Sequence, residues 1–287
     1  MSKIQSIQVS NHGAELQSLV ANGHEYLWQG DQEFWGRRAP ILFPIVGRLA
    51  DDTLRIDGAN YKMKQHGFAR DSVFVERDGK YVLTENGRDN YPYPYELAVN
   101  YIIEGNTLIC HWEVKNIGNK TMYFQIGAHP AFMLPNYDAS VAVHGYLRCY
   151  NSDGRVVMPI VSSKLINGLR QVTDKRVLCD KNALIPITNT TFAEDALLLE
   201  GCNIASVALV DMTGKEMLRV NCPQAEVFGL WAPNKPECTF VCIEPWCGVA
   251  DCVGFRGNIS KRDYIHSLKP KENYEFTYTI TIEKNEK

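Results

Sequence analysis

Residues 97–114 read LAVNYIIEGNTLICHWEV. Leu97, Val99, Tyr101 and Ile103 alternate with their neighbours in the period of two that marks a strand with one buried face. Glu104-Gly105-Asn106 then reverses the chain, and Leu108, Cys110, Trp112 and Val114 repeat the alternation on the way back. A β-hairpin is expected here. The same reading extends outward in both directions. Asp57-Gly58 and Asp78-Gly79 sit between similar runs, and Asp-Gly supplies the positive backbone angles that a tight two-residue turn demands. Near the end, Tyr274, Phe276, Tyr278, Ile280 and Ile282 would face one way and Glu275, Thr277, Thr279, Thr281 and Glu283 the other, a strand with one wet face.

No segment of ten or more residues carries a 3.6-residue apolar stripe bounded by caps, so helix is expected to be minor, with one or two short turns near residues 180–184. The chain contains no Pro/Ser/Gly linker, charge block or fixed-period repeat at which to divide its 287 residues. The expectation is an all-β fold, a large antiparallel β-sandwich with minimal helix, formed as one domain over residues 1–287.

Composition narrows the function. With 45% hydrophobic and 22% charged residues the chain has the make-up of an ordinary globular protein. Thirty basic against 33 acidic side chains leave a net charge of −3, without the basic footprint that nucleic acid or an anionic membrane surface requires. Small or neutral partners are favoured. The amino terminus has no apolar core of signal-peptide length and no apolar run could span a bilayer, so a cytoplasmic location is expected. Nine cysteines are dispersed without a Cys-x-x-Cys pair, and the run Cys238, Cys242, Cys247, Cys252 has spacings of 4, 5 and 5 that fit no zinc pattern. They read as free thiols acting as small hydrophobes, and no metal site is expected.

Five polar residues stand outside the strand pattern. Arg48 follows the run from Ala39 to Val46, which Pro40, Pro44 and Gly47 break; such density argues for bent backbone at a sheet edge. The arginine reads as solvated, as paired with a carboxylate, or as a fixed fork of donors for hydroxyls or anions. His66 precedes Gly67 in KQHGFARDSVF (residues 64–74) and alone is a weak signal. His129 ends the strand MYFQIGAHPAFMLP (residues 122–135). Because Pro130 cannot donate to a ladder and holds its predecessor extended, the chain is expected to leave the sheet at His129, with the imidazole at its lip. The competing reading is a packed histidine bonded to a carbonyl. Asp195, ahead of the run Ala196–Leu199, reads as a loop acid or a turn former. Glu244, in CTFVCIEPWCG (residues 238–248), would share a strand face with Phe240 and Cys242. A carboxylate placed there is expensive unless paired, and burial would raise its pKa toward the range useful for proton transfer. Of Trp28, Trp35, Trp231 and Trp246, one or two are expected at a pocket and the rest in the core.

The segments PIVGRLAD (44–51), QHGFARD (65–71), GAHPAF (127–132), EDALLL (194–199) and CIEPWCGVAD (242–251) resemble, in this order and over nearly the whole chain, the aldose 1-epimerase or galactose mutarotase-like family. The resemblance implies a β-supersandwich that interconverts the α and β anomers of free hexoses without metal or organic cofactor. It implies Glu244 as the general base at the C1 hydroxyl and His129 as the general acid at the ring oxygen. His66, Arg48 and Asp195 would bind hydroxyls and stabilise charge. GRLAD is similar to the free-sugar branch, whereas HGFAR is similar to the hexose-6-phosphate branch, with Arg37, Arg38, Arg70 and Lys235 as phosphate contacts to consider. The chemistry suits an acid and a base on opposite sides of the hemiacetal, both titrating near neutrality. Two other classes compete: a non-catalytic sugar-binding protein on the same scaffold, and a glycosidase using Glu244 and Asp195 as its carboxyl pair. The oligomeric state stays open.

Overall fold

The computed structural model describes residues 3–85, 87–158, 160–179, 182–235 and 237–283. Tyr95–Glu104 and Thr107–Asn116 form the expected hairpin, in the register Leu97↔Val114, Val99↔Trp112, Tyr101↔Cys110 and Ile103↔Leu108. Glu104 still pairs with Thr107, so the turn is two residues long rather than three. Both Asp-Gly turns close as expected. Thr53–Ile56 pairs with Ala59–Lys62, Val75–Arg77 pairs with Lys80–Glu85, and the turn residues have positive φ.

The hairpin lies within a nine-stranded antiparallel sheet. Its central partner is Asn273–Ile282, whose Phe276, Tyr278, Ile280 and Ile282 are buried while Thr277, Thr279 and Thr281 are half-buried. An eight-stranded antiparallel sheet lies across the core from it. Its order runs from Leu169–Val177 through Val161–Ile166, Leu197–Glu200, Val227–Trp231, Phe240–Cys247 and Ile126–Ala128 to Ile41–Leu42, with Ala131–Met133 also paired to Phe240–Cys247. One apolar cluster joins the inner faces: Leu97, Val99, Trp112, Val114, Phe276 and Tyr278 from one sheet meet Leu197, Leu199, Phe228, Leu230, Val241 and Ile243 from the other. This is the antiparallel β-sandwich expected from the alternation.

The outer face of the eight-stranded sheet is covered too. Leu42, Leu198, Val227 and Trp246 form a second cluster, and Phe240 and Cys242 join Trp28 and Ala131 in a third. All eight residues of Phe240–Cys247 are therefore buried, which explains a run of apolar residues without alternation. Helix among the described residues amounts to single 3₁₀ turns at Ala50–Asp52, Ala69–Asp71 and Ile259–Lys261. Of the turn expected near 180–184, residues 180 and 181 lie outside the described residues, and 182–184 carry no helix. The bent segment after Ala39 supplies only the two-residue strand Ile41–Leu42 at the sheet's edge, as its prolines required. All nine cysteines are free thiols. No helix among the described residues is long and apolar enough to cross a membrane.

Candidate active site

The strand Phe240–Cys247 places the site. Val241, Ile243 and Cys247 point into the sandwich core, whereas Phe240, Cys242 and Trp246 join the clusters on the other face; Glu244 shares that outer face by the period of two. Ile126 pairs with Cys247, Gly127 with Trp246 and Ala131 with Cys242, and the Ile243 amide donates to the Pro130 carbonyl. One register thus runs across His129 and sets it beside Glu244. The chain does not leave the sheet at this histidine, contrary to the sequence expectation: pairing lapses for two residues around Pro130, which lacks an N–H, and resumes on the same partner strand. His129 Nε2 lies 3.1 Å from Glu244 Oε2. The two groups are neighbours on one face rather than opposed across a gap.

Trp246 owes its seat to two glycines. A Cβ at Gly127 would lie 2.7 Å from Trp246 Cδ1, and one at Gly229 would lie 2.9 Å from its Cζ2. On the other side, Trp35 stacks on the His129 ring at 4.8 Å and 27°, and Trp231 meets it edge-on at 5.9 Å. Trp35, Trp231 and Trp246 all line one cavity of about 410 Å³, so three tryptophans face it rather than one or two. Trp28 stacks on Phe240 at 4.4 Å, away from the cavity.

All five sequence candidates, Arg48, His66, His129, Asp195 and Glu244, line this same cavity. Burial and then the charge of Asp195 raise the Glu244 carboxyl well above the usual carboxylate range. Burial, reinforced by the charge of Arg70, pushes the His129 imidazole down to about 3. Both shifts disfavour charge, so the pair rests as neutral imidazole beside carboxylic acid, with one titrating proton between them. Glu244 Oε2, His129 Nδ1 and Trp246 Nε1 are buried without a hydrogen-bond partner. Unsatisfied polar atoms on residues lining a cavity are what a hydroxyl-rich ligand satisfies.

His66 is held by its own backbone. Its N–H donates to the Gly47 carbonyl at 2.9 Å, and the Gly47 N–H donates to His66 Nδ1 at 3.1 Å. Accepting at Nδ1 places the proton of the neutral ring on Nε2. Burial, reinforced by the charges of Arg70 and Arg37, keeps the ring's pKa well below the ordinary value. His66 therefore carries no charge, and its Nε2 lies 3.2 Å from the Gln65 side-chain amide at the cavity wall. Gly67 permits the fold-back: at φ +72°, a Cβ would lie 2.2 Å from the Phe43 carbonyl oxygen.

Arg48 combines two of its readings. It forms a forked pair with Asp52 at 3.0 and 3.1 Å, reaches the Asn167 carbonyl at 3.4 Å, and still lines the cavity. Asp195 is exposed, with φ of 120°, a conformation that residues other than glycine rarely adopt. Of the four basic residues considered for phosphate, only Arg70 lines the cavity. Arg37 pairs with Asp71 at 2.7 Å, Arg38 donates to the Gln17 carbonyl at 2.9 Å, and Lys235 donates to the Glu33 carbonyl. Arg70 donates to the Gln65 carbonyl at 2.6 Å and leaves a buried Nε without a partner.

Sequence reasoning assigned no role to Gln125, Asp251 and Arg262, which clamp the segment carrying Arg48. Asp251 accepts from the Ala50 amide at 3.0 Å and from Arg262 Nε at 2.7 Å, and its own amide donates to the Arg48 carbonyl. Arg262 donates to Gln125 Oε1 at 2.8 Å, and the same oxygen accepts from the Val46 amide at 3.1 Å. Asp251 closes the motif CIEPWCGVAD and was visible there. Gln125 and Arg262 lie in stretches with no distinguishing pattern.

The antiparallel β-sandwich that carries this cavity is a galactose mutarotase-like fold. The family model described as Aldose 1-epimerase matches residues 2–281, and the chain belongs to that family. Among curated proteins it is similar to the chromosomal protein LacX of Lactococcus lactis subsp. lactis, with 28% identity covering 96% of each chain. A solved galactose mutarotase related enzyme from Lactobacillus acidophilus is 30% identical, with a TM-score of 0.86 and coverage of 99% of this chain and 98% of that one. A galactose mutarotase-like protein from Lactobacillus casei is 26% identical, with a TM-score of 0.85 over 98% and 99% of the two chains.

Proposed function

We propose that the protein is an aldose 1-epimerase that interconverts the α and β anomers of a hexose or hexose phosphate, with Glu244 and His129 moving the protons. The contact of a buried carboxyl with a buried imidazole, 3.1 Å apart on one cavity wall, carries this reading. The two oxygens that exchange protons during mutarotation, the C1 hydroxyl and the ring oxygen, share a single carbon, so neighbouring groups on one face reach both.

With the shared proton on His129 and Glu244 as carboxylate, the carboxylate accepts the C1 hydroxyl proton while the imidazolium donates to the ring oxygen. The C1–ring oxygen bond breaks, leaving a C1 carbonyl and a C5 hydroxyl. The pair is then neutral imidazole and carboxylic acid, the state that burial favours. Rotation about C1–C2 presents the other carbonyl face. Glu244 then returns its proton to the carbonyl oxygen as the C5 hydroxyl attacks and gives its proton to His129. One proton circulates and none is lost. His66 Nε2–H, Arg48 and Asp195 bind hydroxyls and stabilise the oxygen that gains charge, and the tryptophans offer flat surfaces to the sugar's CH faces.

Polarimetry of freshly dissolved α-D-glucose and α-D-galactose, with NMR anomer exchange over free and 6-phosphorylated hexoses, tests the reading. Acceleration over buffer for at least one sugar is expected; none across the panel would remove it. Calorimetric binding without exchange would instead mark a sugar-binding protein.

A further inference from the structure

On the opposite face of the strand that carries Glu244, a second trio converges from three strand ends. Cys247 ends Phe240–Cys247 and pairs with Ile126. Glu226 immediately precedes Val227–Trp231, and its amide donates to the Trp246 carbonyl at 2.9 Å. His266 opens His266–Leu268 and pairs with Phe124. Their donor atoms all lie within 4.8 Å of one another.

Two details set this trio apart from an ordinary surface ion pair. His266 Nε2 and Glu226 Oε2 are 3.4 Å apart, and both atoms are buried without a hydrogen-bond partner. A nitrogen and an oxygen facing each other in this way leave a donor or an acceptor unmet. Their spacing also matches the edge of a small tetrahedral site: bonds of 2.0–2.1 Å to nitrogen and oxygen give a ligand-to-ligand edge of about 3.3 Å. The Cys247 thiol, which reaches the Gln224 carbonyl at 3.2 Å, supplies the soft third donor, and the His266 ring is held against Tyr274 at 4.7 Å.

We propose that Glu226, Cys247 and His266 form a structural site for a thiophilic divalent cation of the zinc class, with water as the fourth ligand. Nitrogen, sulfur and carboxylate oxygen together suit zinc, whereas magnesium and calcium prefer oxygen alone. The His266 and Glu226 side chains are 21% and 30% exposed, so the site opens to solvent while Cys247 forms its floor. A bound cation favours the thiolate form of its cysteine ligand. Binding forms one metal–sulfur bond and releases the thiol proton to water. The ion would tie together three segments distant in the chain, behind the strand that carries Glu244. This trio is invisible to cysteine spacing, because each ligand comes from a different segment.

The test uses the full chain, stripped with chelator and titrated with zinc and with cobalt(II). One ion per chain is expected, with a sulfur-to-cobalt charge-transfer band and a rise in Tm. His266→Asn and Glu226→Gln, at partly exposed positions, should each weaken binding by at least about tenfold, and Cys247→Ser should remove the charge-transfer band. Cys242→Ser and Glu244→Gln, in the buried trio with His129 on the other face of the strand, should retain the ion. No stoichiometric binding, binding unchanged in His266→Asn and Glu226→Gln, or loss of the ion in Glu244→Gln instead would each overturn the proposal. None of these readouts depends on anomer exchange, so they stand apart from the function proposed above.

Discussion

A His–Glu–Cys trio lies on each face of the strand Phe240–Cys247, and the two differ in what surrounds them. His129, Cys242 and Glu244 are all buried, and His129 and Glu244 line a cavity of about 410 Å³ that three tryptophans also line, whereas Glu226, Cys247 and His266 sit at strand ends with two members partly exposed. Similar groups thus sit in different surroundings. Desolvation without a fixed charge partner favours neutral forms and a mobile proton, while a solvent-edged cluster containing a thiol favours a cation.

The largest expected effect lies on the cavity side. Glu244→Gln or His129→Asn should reduce anomer exchange by about 10²–10⁴-fold with the circular dichroism spectrum unchanged, and full activity in either variant would break the assignment of the proton pair. Trp35→Ala removes the ring stacked on His129. A misplaced imidazole should lower kcat by up to about 10²-fold with a smaller change in KM, and a change confined to KM would reduce Trp35 to a sugar platform.

The pH profile sharpens the contrast between buried and exposed histidines. With His129 held down to about 3 and Glu244 well above the usual range, the one-proton state spans the interval between them. Lowering the pH from 6.5, where an ordinary imidazole titrates, to about 5 should therefore cost no exchange activity. A tenfold loss at pH 5.5 would show that the imidazole is not shielded.

Stability should register the same burial more gently. A carboxyl whose folded pKa is raised contributes stability below its unfolded pKa and loses it as pH rises through the folded value. The Tm of Glu244→Gln relative to the parent should therefore climb as pH rises from 4.5, the reference carboxyl value. A difference independent of pH would mean that Glu244 is not desolvated in the folded chain.

Much of this was legible beforehand because period-two alternation and Asp-Gly turns are local signals. The strand from Asn273 and the hairpin from Tyr95 appear where their apolar alternation put them. Of the five polar candidates Glu244 was the sharpest and His66 weak by itself, yet all share one cavity, since a polar residue interrupting an apolar pattern has few reasons to be there. The path of the chain at His129 was misread: a proline ends a ladder locally, but the partner strand continued past it and recaptured the chain. Trp35 and Trp231 were indistinguishable from core aromatics, and Gln125 and Arg262 carry no pattern at all.

By itself the sequence determined which residues alternate, where the chain turns and which side chains are too polar for their surroundings, because those properties depend on neighbours within a few positions. Only the tertiary structure decided that residue 129 stands beside 244, that Gly127 and Gly229 make room for Trp246, and that 226, 247 and 266 meet behind them. Such contacts join segments up to more than a hundred residues apart, and register between strands is set by the packing of whole faces rather than by any one segment.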